Sequence, residues 1–521
     1  MSKTGVLRWT DLIEGGSGFW GGLGAGGFVF DPECCWDPHA NRFLAMASER
    51  TGGRSYFLFA ISKDDSPDNF NDWWKYRFDV TSLAGNDIDS PNMAVGPDSI
   101  LLTADFFGPD KYLIFMVDKA DVLVGDPPST RSLLITGTQS YGIPVTYDAD
   151  APAQYMIQST EFSNNNTVRF HAITDPLGNP QRVTTTVSVP NYRFPERPPQ
   201  MGTSTRPHVF EPRFWSCVYR NGSLWAVHHQ DDSRVRVRWY EFRMNDWPVG
   251  GTPELVQWGE IDPGSPVRTF FPSIWVDEIG NAVICCARSS PSEFISMSRA
   301  VRAAGDPPGQ FQPIEFVKQS KTPYTRNRWG DYSGTASDPT QVGRFWIHHE
   351  YAVTNTSWNT WIAEVLMASG LPIDLRIIRG RHVAGELADL FASDDSRMVF
   401  QPGITLDPDE PPVWLELTGR SPSGSPSELA FTLETRVDTP GVTQTISLFN
   451  YDAGEFEEID SRTASFNNDS TVEIVVGGDP SRFIKSDTLE MKAELTWKPG
   501  PLVILFPWNI GIDQAVWSIT P

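Results

Sequence analysis

Lysine is scarce in this 521-residue chain: ten of its 42 cationic residues are Lys, set against 65 Asp and Glu, for a formal charge of −23. Binding a phosphate backbone or an anionic membrane needs clustered Lys and Arg, so nucleic acid and membrane surfaces are excluded as partners. Cysteine is nearly absent as well. Of the five, Cys34 with Cys35 and Cys285 with Cys286 form adjacent pairs inside apolar strand-like runs, and Cys217 lies in a third run. Strand neighbours point to opposite faces, so these read as free, buried small side chains; the odd number and the lack of a C-x-x-C spacing exclude a disulfide framework and a zinc site. The apolar run at 502–506 is too short to cross a bilayer and is closed by Pro507. Residues 1–16 lack the apolar core of a secretion signal. The location expected is therefore extracellular or at the cell surface by another route, or on a virion or phage-like particle. Helical apolar periodicity is missing throughout, which leaves little room for helix.

What is present describes an all-β protein. Forty-two Gly, 42 Pro and 19 Trp suit many short strands joined by tight turns. A unit recurs with a period of about 50 to 70 residues: a Pro-led strand, a turn rich in Asp, Gly and Asn, a strongly apolar strand, then further strands. The Pro-led strands and their turns fall at 32–42, 91–99, 144–153, 212–223, 272–282 and 331–343. Third strands are predicted at 56–63, 112–120, 167–174, 235–243, 293–301 and 360–366, and fourth strands at 73–81, 132–137, 182–190, 255–261 and 312–320. This spacing predicts a six-bladed β-propeller over 28–371, with residues 6–13 supplying the outer strand that the last blade lacks and closing the ring. After Met367 the repeat gives way to period-two alternation at 413–417, 428–435, 442–449, 471–476, 489–497 and 513–519, predicting a β-sandwich over 372–521. Residues 1–27 are then a closing strand followed by a Gly-rich linker.

The turns VYRNGS, VDEIGNA and SDPTQVGRFW resemble degenerate Asp-box turns of sialidase-like six-bladed propellers. The segment RWGDYSGTASDP, followed by FWIHHEYA, is similar to one found in exported bacterial propeller proteins, and the C-terminal part is similar to their β-sandwich appendages. The resemblance implies Asp boxes that stabilise turns away from the active site. A sialidase-type activity would further imply three arginines gripping a carboxylate, a Tyr–Glu pair and an acidic Asp. Arg50, Arg288 and Arg328 would serve, with Tyr332 or Tyr351 beside Glu350, although no Arg-Ile-Pro element stands near the N-terminus.

Propeller ligands bind at the channel mouth, which the residues flanking the innermost strands build. Repeat register places Asp31, Asp89, Glu211 and Asp331 at the start of inner strands, and Glu49, Asp105, Glu161, His229, Arg288 and Glu350 just past the apolar part of second strands. A ring of carboxylates would suit a cation such as Ca²⁺ or a hydrogen-bonding sugar; solvated strand ends are the bland alternative. GLGAGG at 22–27 precedes a Pro-led strand instead of opening a helix, so it reads as a linker and not a phosphate loop. His228 with His229, and His348 with His349, lie on strands and cannot chelate as pairs. Trp73, Trp74 and Trp247 are read as loop aromatics able to stack on sugars. The reading favoured by sequence is a non-catalytic binding or structural protein presenting both domains to protein subunits or glycans, with assembly into a larger particle as one form of it. A carbohydrate-active hydrolase of sialidase-like type is the alternative.

Overall fold

The computed structural model describes residues 3, 5–108, 110–137, 141–159, 165–340, 343–367, 370–405, 407, 409–421, 424–500 and 508–520. The apolar run at 502–506 lies outside them.

Up to Leu366 the described strands form six small sheets in chain order, all but the third begun by an inner strand. The first sheet runs Phe28–Asp37, Arg42–Thr51, Arg54–Ser62 and Trp73–Asp79; the second runs Ile88–Val95, Ser99–Phe106, Lys111–Asp118 and Thr130–Thr136. The fourth has Phe214–Arg220, Ser223–Asp231, Val235–Arg243 and Glu254–Ile261, and the fifth Arg268–Val276, Ala282–Ser290, Glu293–Arg302 and Glu315–Lys318. The sixth holds Gly334–Ser337, Arg344–Ala352 and Trp358–Leu366. This arrangement is propeller-like. Second strands such as Ser99–Phe106 and Ala282–Ser290 are buried along their whole length. Neighbouring sheets cover both their faces, which is why they read as unbroken apolar runs and not as alternating ones.

The third sheet departs from the expected pattern. It contains Gln154–Ser159, Asn165–Thr174 and Gln181–Tyr192, while the segment expected as its inner strand supplies only Val145–Thr146, which pairs in parallel with the fourth sheet's inner strand. Only a bridge at Gly142, which exchanges backbone hydrogen bonds of 2.9 and 2.8 Å with Ile157, ties the preceding segment to the third sheet among the described residues.

Inner strands share a one-residue bulge at the same height. Asp31, Ser90 and Phe271 each sit in the left-handed region, at φ 50, 47 and 48, and each precedes a proline. The strand pairing slips there by one residue in all three sheets. At the opposite strand end, Asp37, Asp277 and Asp338 accept backbone N–H groups of the following turn, as at Asp37 to His39 (2.9 Å), Asp277 to Asn281 (2.8 Å) and Asp338 to Thr340 (2.9 Å). Asp338 also accepts the indole N–H of Trp346 at 3.1 Å.

Hydrophobic clusters join the first sheet to the second, the second to the third, and so on to the fifth and sixth. No such cluster joins the sixth to the first among the described residues. Residues 6–13 do not form the expected closing strand: Arg8 bonds Asp68 at 2.6 Å, the Trp9 indole donates to the Pro67 carbonyl at 3.3 Å, and Phe19 N–H donates to the Leu12 carbonyl at 2.7 Å. Phe19, Trp20 and Ala25 then pack on Ala47, Leu58 and Ala60 of the first sheet, the face that would otherwise meet the sixth. Burying these aromatics fixes the segment on the first sheet, and the outer edge of the last strand pairs with no strand among the described residues. Among the described residues, Lys3 bonds Asp338, beside the sixth sheet's inner strand, at 2.6 Å.

The remaining chain packs two five-stranded sheets face to face. One is ordered Pro372–Arg379, Val413–Arg420, Glu490–Pro499, Val442–Asn450, Glu455–Thr463, and the other Arg381–Ala384, Met398–Gln401, Ile510–Thr520, Glu428–Val437, Ser470–Val475. Leu415, Leu417, Phe431, Leu433, Leu495 and Trp497 fill the space between them. Helix is confined to Thr81–Ala84, Lys119–Val124 and single 3-10 turns among the described residues.

Trp20 is 2% exposed, so Trp20→Ala should cost about 3–5 kcal/mol through the cavity it leaves. Truncation to Trp9, which keeps the ring that stacks on Phe19 with centroids 6.1 Å apart, should cost under about 1 kcal/mol. Urea unfolding of both variants checks the wedge; equal losses would show that it does not hold the first sheet.

Candidate functional site

The bulged inner-strand ends surround a cavity of about 480 Å³. Its wall is aromatic, with Phe30, Phe107, Tyr141, Phe210, Trp215 and Tyr332, and carries the carboxylates of Asp31, Glu33, Asp89 and Asp331 beside the guanidinium groups of Arg50, Arg213 and Arg328. Each arginine is held by an acid and lies over an aromatic ring. Arg50 pairs with Asp87 and Asp89, both at 3.1 Å, with its guanidinium 5.2 Å from the Phe30 ring. Arg213 pairs with Glu211 and lies 5.4 Å from the Trp215 ring, and Arg328 pairs with Asp331 and lies 4.6 Å from Phe210.

The carboxylates differ in protonation. Glu33 opens only to the channel and is otherwise enclosed by protein; this desolvation raises its pKa to about 8, against the Met93 N–H that it accepts at 3.0 Å and with help from the nearby Asp31 charge. At neutral pH it carries a proton. Burial also raises Asp31, opposed by a hydrogen bond from the Tyr332 hydroxyl, and raises Asp331, opposed by Arg328. Asp331 Oδ1 is buried without a hydrogen-bond partner among the described residues. Asp331 and Tyr332 line this cavity and two more, of about 470 Å³ along the channel and about 500 Å³ to the side.

Two histidines lock the wall. The Phe271 N–H donates to His229 Nδ1 at 3.1 Å, and the Phe271 carbonyl accepts from His349 Nε2 at 3.1 Å. His229 Nε2 faces the Val209 carbonyl at 2.5 Å, and His349 Nδ1 accepts the Glu350 N–H at 2.7 Å. Burial lowers their pKa values to about 3 and about 4, so both rings are neutral, as an accepting Nδ1 requires. His229 also stacks on Trp215, centroids 5.4 Å apart.

Of the ten residues expected at the mouth, Asp31, Asp89 and Asp331 line it, and Glu350 lines the side cavity. Glu211 reaches it only through Arg213. Glu49 is buried in the first sheet, where it pairs with Arg77 at 2.8 Å and accepts the Gly26 N–H at 3.2 Å, so the Gly-rich linker satisfies a buried carboxylate. Asp105 is buried opposite Asp89, His229 lies behind the wall, and Arg288 pairs with Glu293 at 2.6 Å in its own sheet. Glu161 falls outside the described residues. The second strand sits about 5 Å further from the axis than the inner one, with a neighbouring sheet on each side, so its end residues point between sheets and not into the mouth. Glu350 differs because one side of its sheet is open. Arg213 thus stands where Arg288 was expected. Trp73 and Trp74 lie in a strand and Trp247 is buried against Tyr155, so none is a loop platform. Cys34 is exposed to the channel, contrary to the expected burial. No group of three or more His, Cys, Asp or Glu side chains is placed to hold a metal among the described residues; of the carboxylates expected to suit Ca²⁺, Glu49, Asp89, Glu211 and Asp331 pair with arginines. Glu33, Arg213 and Trp215 escaped the sequence reading, although Asp-Pro-Glu at the bulge was its available signal.

Glu33 takes up a proton on folding between 4.5, its ordinary value, and about 8, so stability falls as pH rises through that window. Glu33→Gln should flatten this slope; urea midpoints at several pH values that run parallel to the parent protein would refute it. His229 and His349 act with the opposite sign. Their contribution is complete above 6.5 and is lost as pH falls towards 4 and 3, so His229→Gln should weaken the acid limb of the same curves.

No family profile and no curated protein matches the chain. Among solved structures, a family 29 carbohydrate-binding module is 18% identical over 29% of this chain and 86% of its own, with a TM-score of 0.19. An exo-β-1,3-galactanase from Phanerochaete chrysosporium with galactose is 9% identical over 93% of this chain and 81% of its own, at 0.27. A protein of unknown function from Dyadobacter fermentans is 11% identical over 76% of this chain and 91% of its own, at 0.31. Scores this low leave the architecture to rest on strand pairing and the chemistry on the residues themselves.

Proposed function

We propose that the chain is a carbohydrate-active protein, a six-bladed propeller bearing a sandwich, whose mouth binds a glycan and cleaves a glycosidic bond. The observation that carries this reading is Glu33, protonated at neutral pH, in one aromatic-walled cavity with the unpartnered Oδ1 of Asp331. Glycoside hydrolysis needs two carboxyl groups in different protonation states. Glu33 donates its proton to the leaving oxygen, and Asp331 takes a proton from the water that attacks the anomeric carbon. Aromatic faces hold the sugar ring while Arg50, Arg213 and Arg328 donate to its hydroxyl groups. Such a site suits work outside a cell or on a particle surface.

Binding without cleavage is the second reading, and the sandwich favours it. Its outer face presents Trp414, bonded to Glu494 at 2.7 Å, beside Lys492, paired with Glu416 at 3.0 Å, a polar and aromatic surface of the kind sugars occupy.

Aryl glycosides and a glycan array, followed by calorimetry, separate these readings. Hydrolysis is expected to fall as pH rises through about 8, and Glu33→Gln should slow it about 100-fold or more while leaving binding intact. Binding by the parent protein with no turnover selects the second reading, and no binding by either variant rejects both.

A further inference from the structure

The gap between the sixth and first sheets continues the mouth sideways. The sixth sheet packs Phe345, Ile347 and Val365 on the fifth. Strand pairing sets Glu350 opposite Thr360 and His348 opposite Ile362 on its other face, which no hydrophobic cluster joins to the first sheet among the described residues. The lower part of this gap is floored by Phe19 and Trp20, which line the channel cavity together with His348 and Ala45. The upper part is a cavity of about 500 Å³, within the range of roughly 300–1,000 Å³ usual for ligand pockets.

Its lining is neither an apolar scar nor a bare acidic patch. Trp358 is 48% exposed at its outer end, next to the hydroxyl of Thr360. Glu350 accepts the Gly330 N–H at 2.9 Å through Oε2, and burial raises its pKa to about 7. A Cβ at Gly330 would lie 2.4 Å from the Glu350 carboxyl carbon, so glycine is what lets the carboxyl sit against the backbone. Trp329 is 2% exposed in this wall, and its indole N–H has no hydrogen-bond partner among the described residues. A buried donor without a partner is costly unless a ligand or water meets it. Asp31, Arg328, Asp331 and Tyr332 belong to both cavities, so no wall separates them.

We propose that this cleft is a subsite lane in which further sugar units of an oligosaccharide lie, stacked on Trp358 and hydrogen-bonded by Thr360, Glu350 and Trp329, while one unit occupies the mouth. The inference rests on the mouth being a glycan site and adds that the ligand is a chain and not a single sugar. The mouth and the cleft share Asp31, Arg328, Asp331 and Tyr332, so a ligand longer than one unit can extend from one into the other.

Ladders of one to six units from β-1,4-glucan, β-1,4-mannan and β-1,3-galactan, titrated by calorimetry into the full chain, test this. The affinity for at least one ladder should rise tenfold or more between two and five units. Trp358→Ala and Thr360→Arg, both at exposed positions that the fold tolerates, should abolish that gain and leave monosaccharide affinity unchanged. Asp331→Asn should weaken every length. Disaccharide binding with no gain from added units, or a gain that survives both cleft variants, overturns the lane and leaves the mouth reading standing. No binding at any length overturns both.

Discussion

The strained turn at the head of the inner strands is the constraint on which the rest depends. Asp31, Ser90 and Phe271 occupy a conformation that costs an L-residue about 1–2 kcal/mol, and each is followed by a proline that cannot donate to the neighbouring strand. The bulge turns the strand end towards the axis, which brings Asp31 and Ser90 into the cavity wall. Such strain persists only where its surroundings over-determine it. At Phe271 two neutral histidines hold both polar groups of the backbone, and at Asp31 the Tyr332 hydroxyl holds the side chain across the gap between sheets.

The same geometry produces the electrostatics of the mouth. Three arginines enter from three sheets, and each is neutralised by an acid of its own neighbourhood, so the cavity is polar without presenting an open cationic grip. That argues for hydroxyl-rich ligands over a lone anion. Glu33 stands apart because no arginine reaches it; with only one backbone N–H for its charge, desolvation keeps it protonated. Differences in burial over a few residues, and not differences in residue type, thus divide the carboxylates into an acid and its partners.

The wedge of Phe19 and Trp20 has a second consequence. Covering the first sheet's free face from within the chain removes the driving force for the sixth sheet to dock there, since the apolar area is already buried. The ring stays open at one junction, and the opening coincides with the side of the mouth where Asp331 and Tyr332 stand.

Much of the scaffold was legible in the sequence. The Pro-led strands, the apolar second strands and the alternating sandwich strands are set by local periodicity and turn chemistry, and the strand at Val235–Arg243 falls where its pattern places it. The inner-strand carboxylates Asp31, Asp89 and Asp331 were legible for the same reason, as a repeat carries its register from sheet to sheet. Which second-strand residues reach a cavity was not: Glu49 and Glu350 occupy the same repeat position, yet one is sealed against Arg77 and the other faces an open cleft. The sequence by itself determined most strands of the repeat and the heads of the inner strands, because those follow from contacts between near neighbours, but not the fate of residues 6–13 or of the third inner strand. Only the tertiary structure decided the ring opening, the protonation of Glu33 and the place of Arg213, because each depends on which distant surfaces compete to bury the same apolar area and on how much water is left behind.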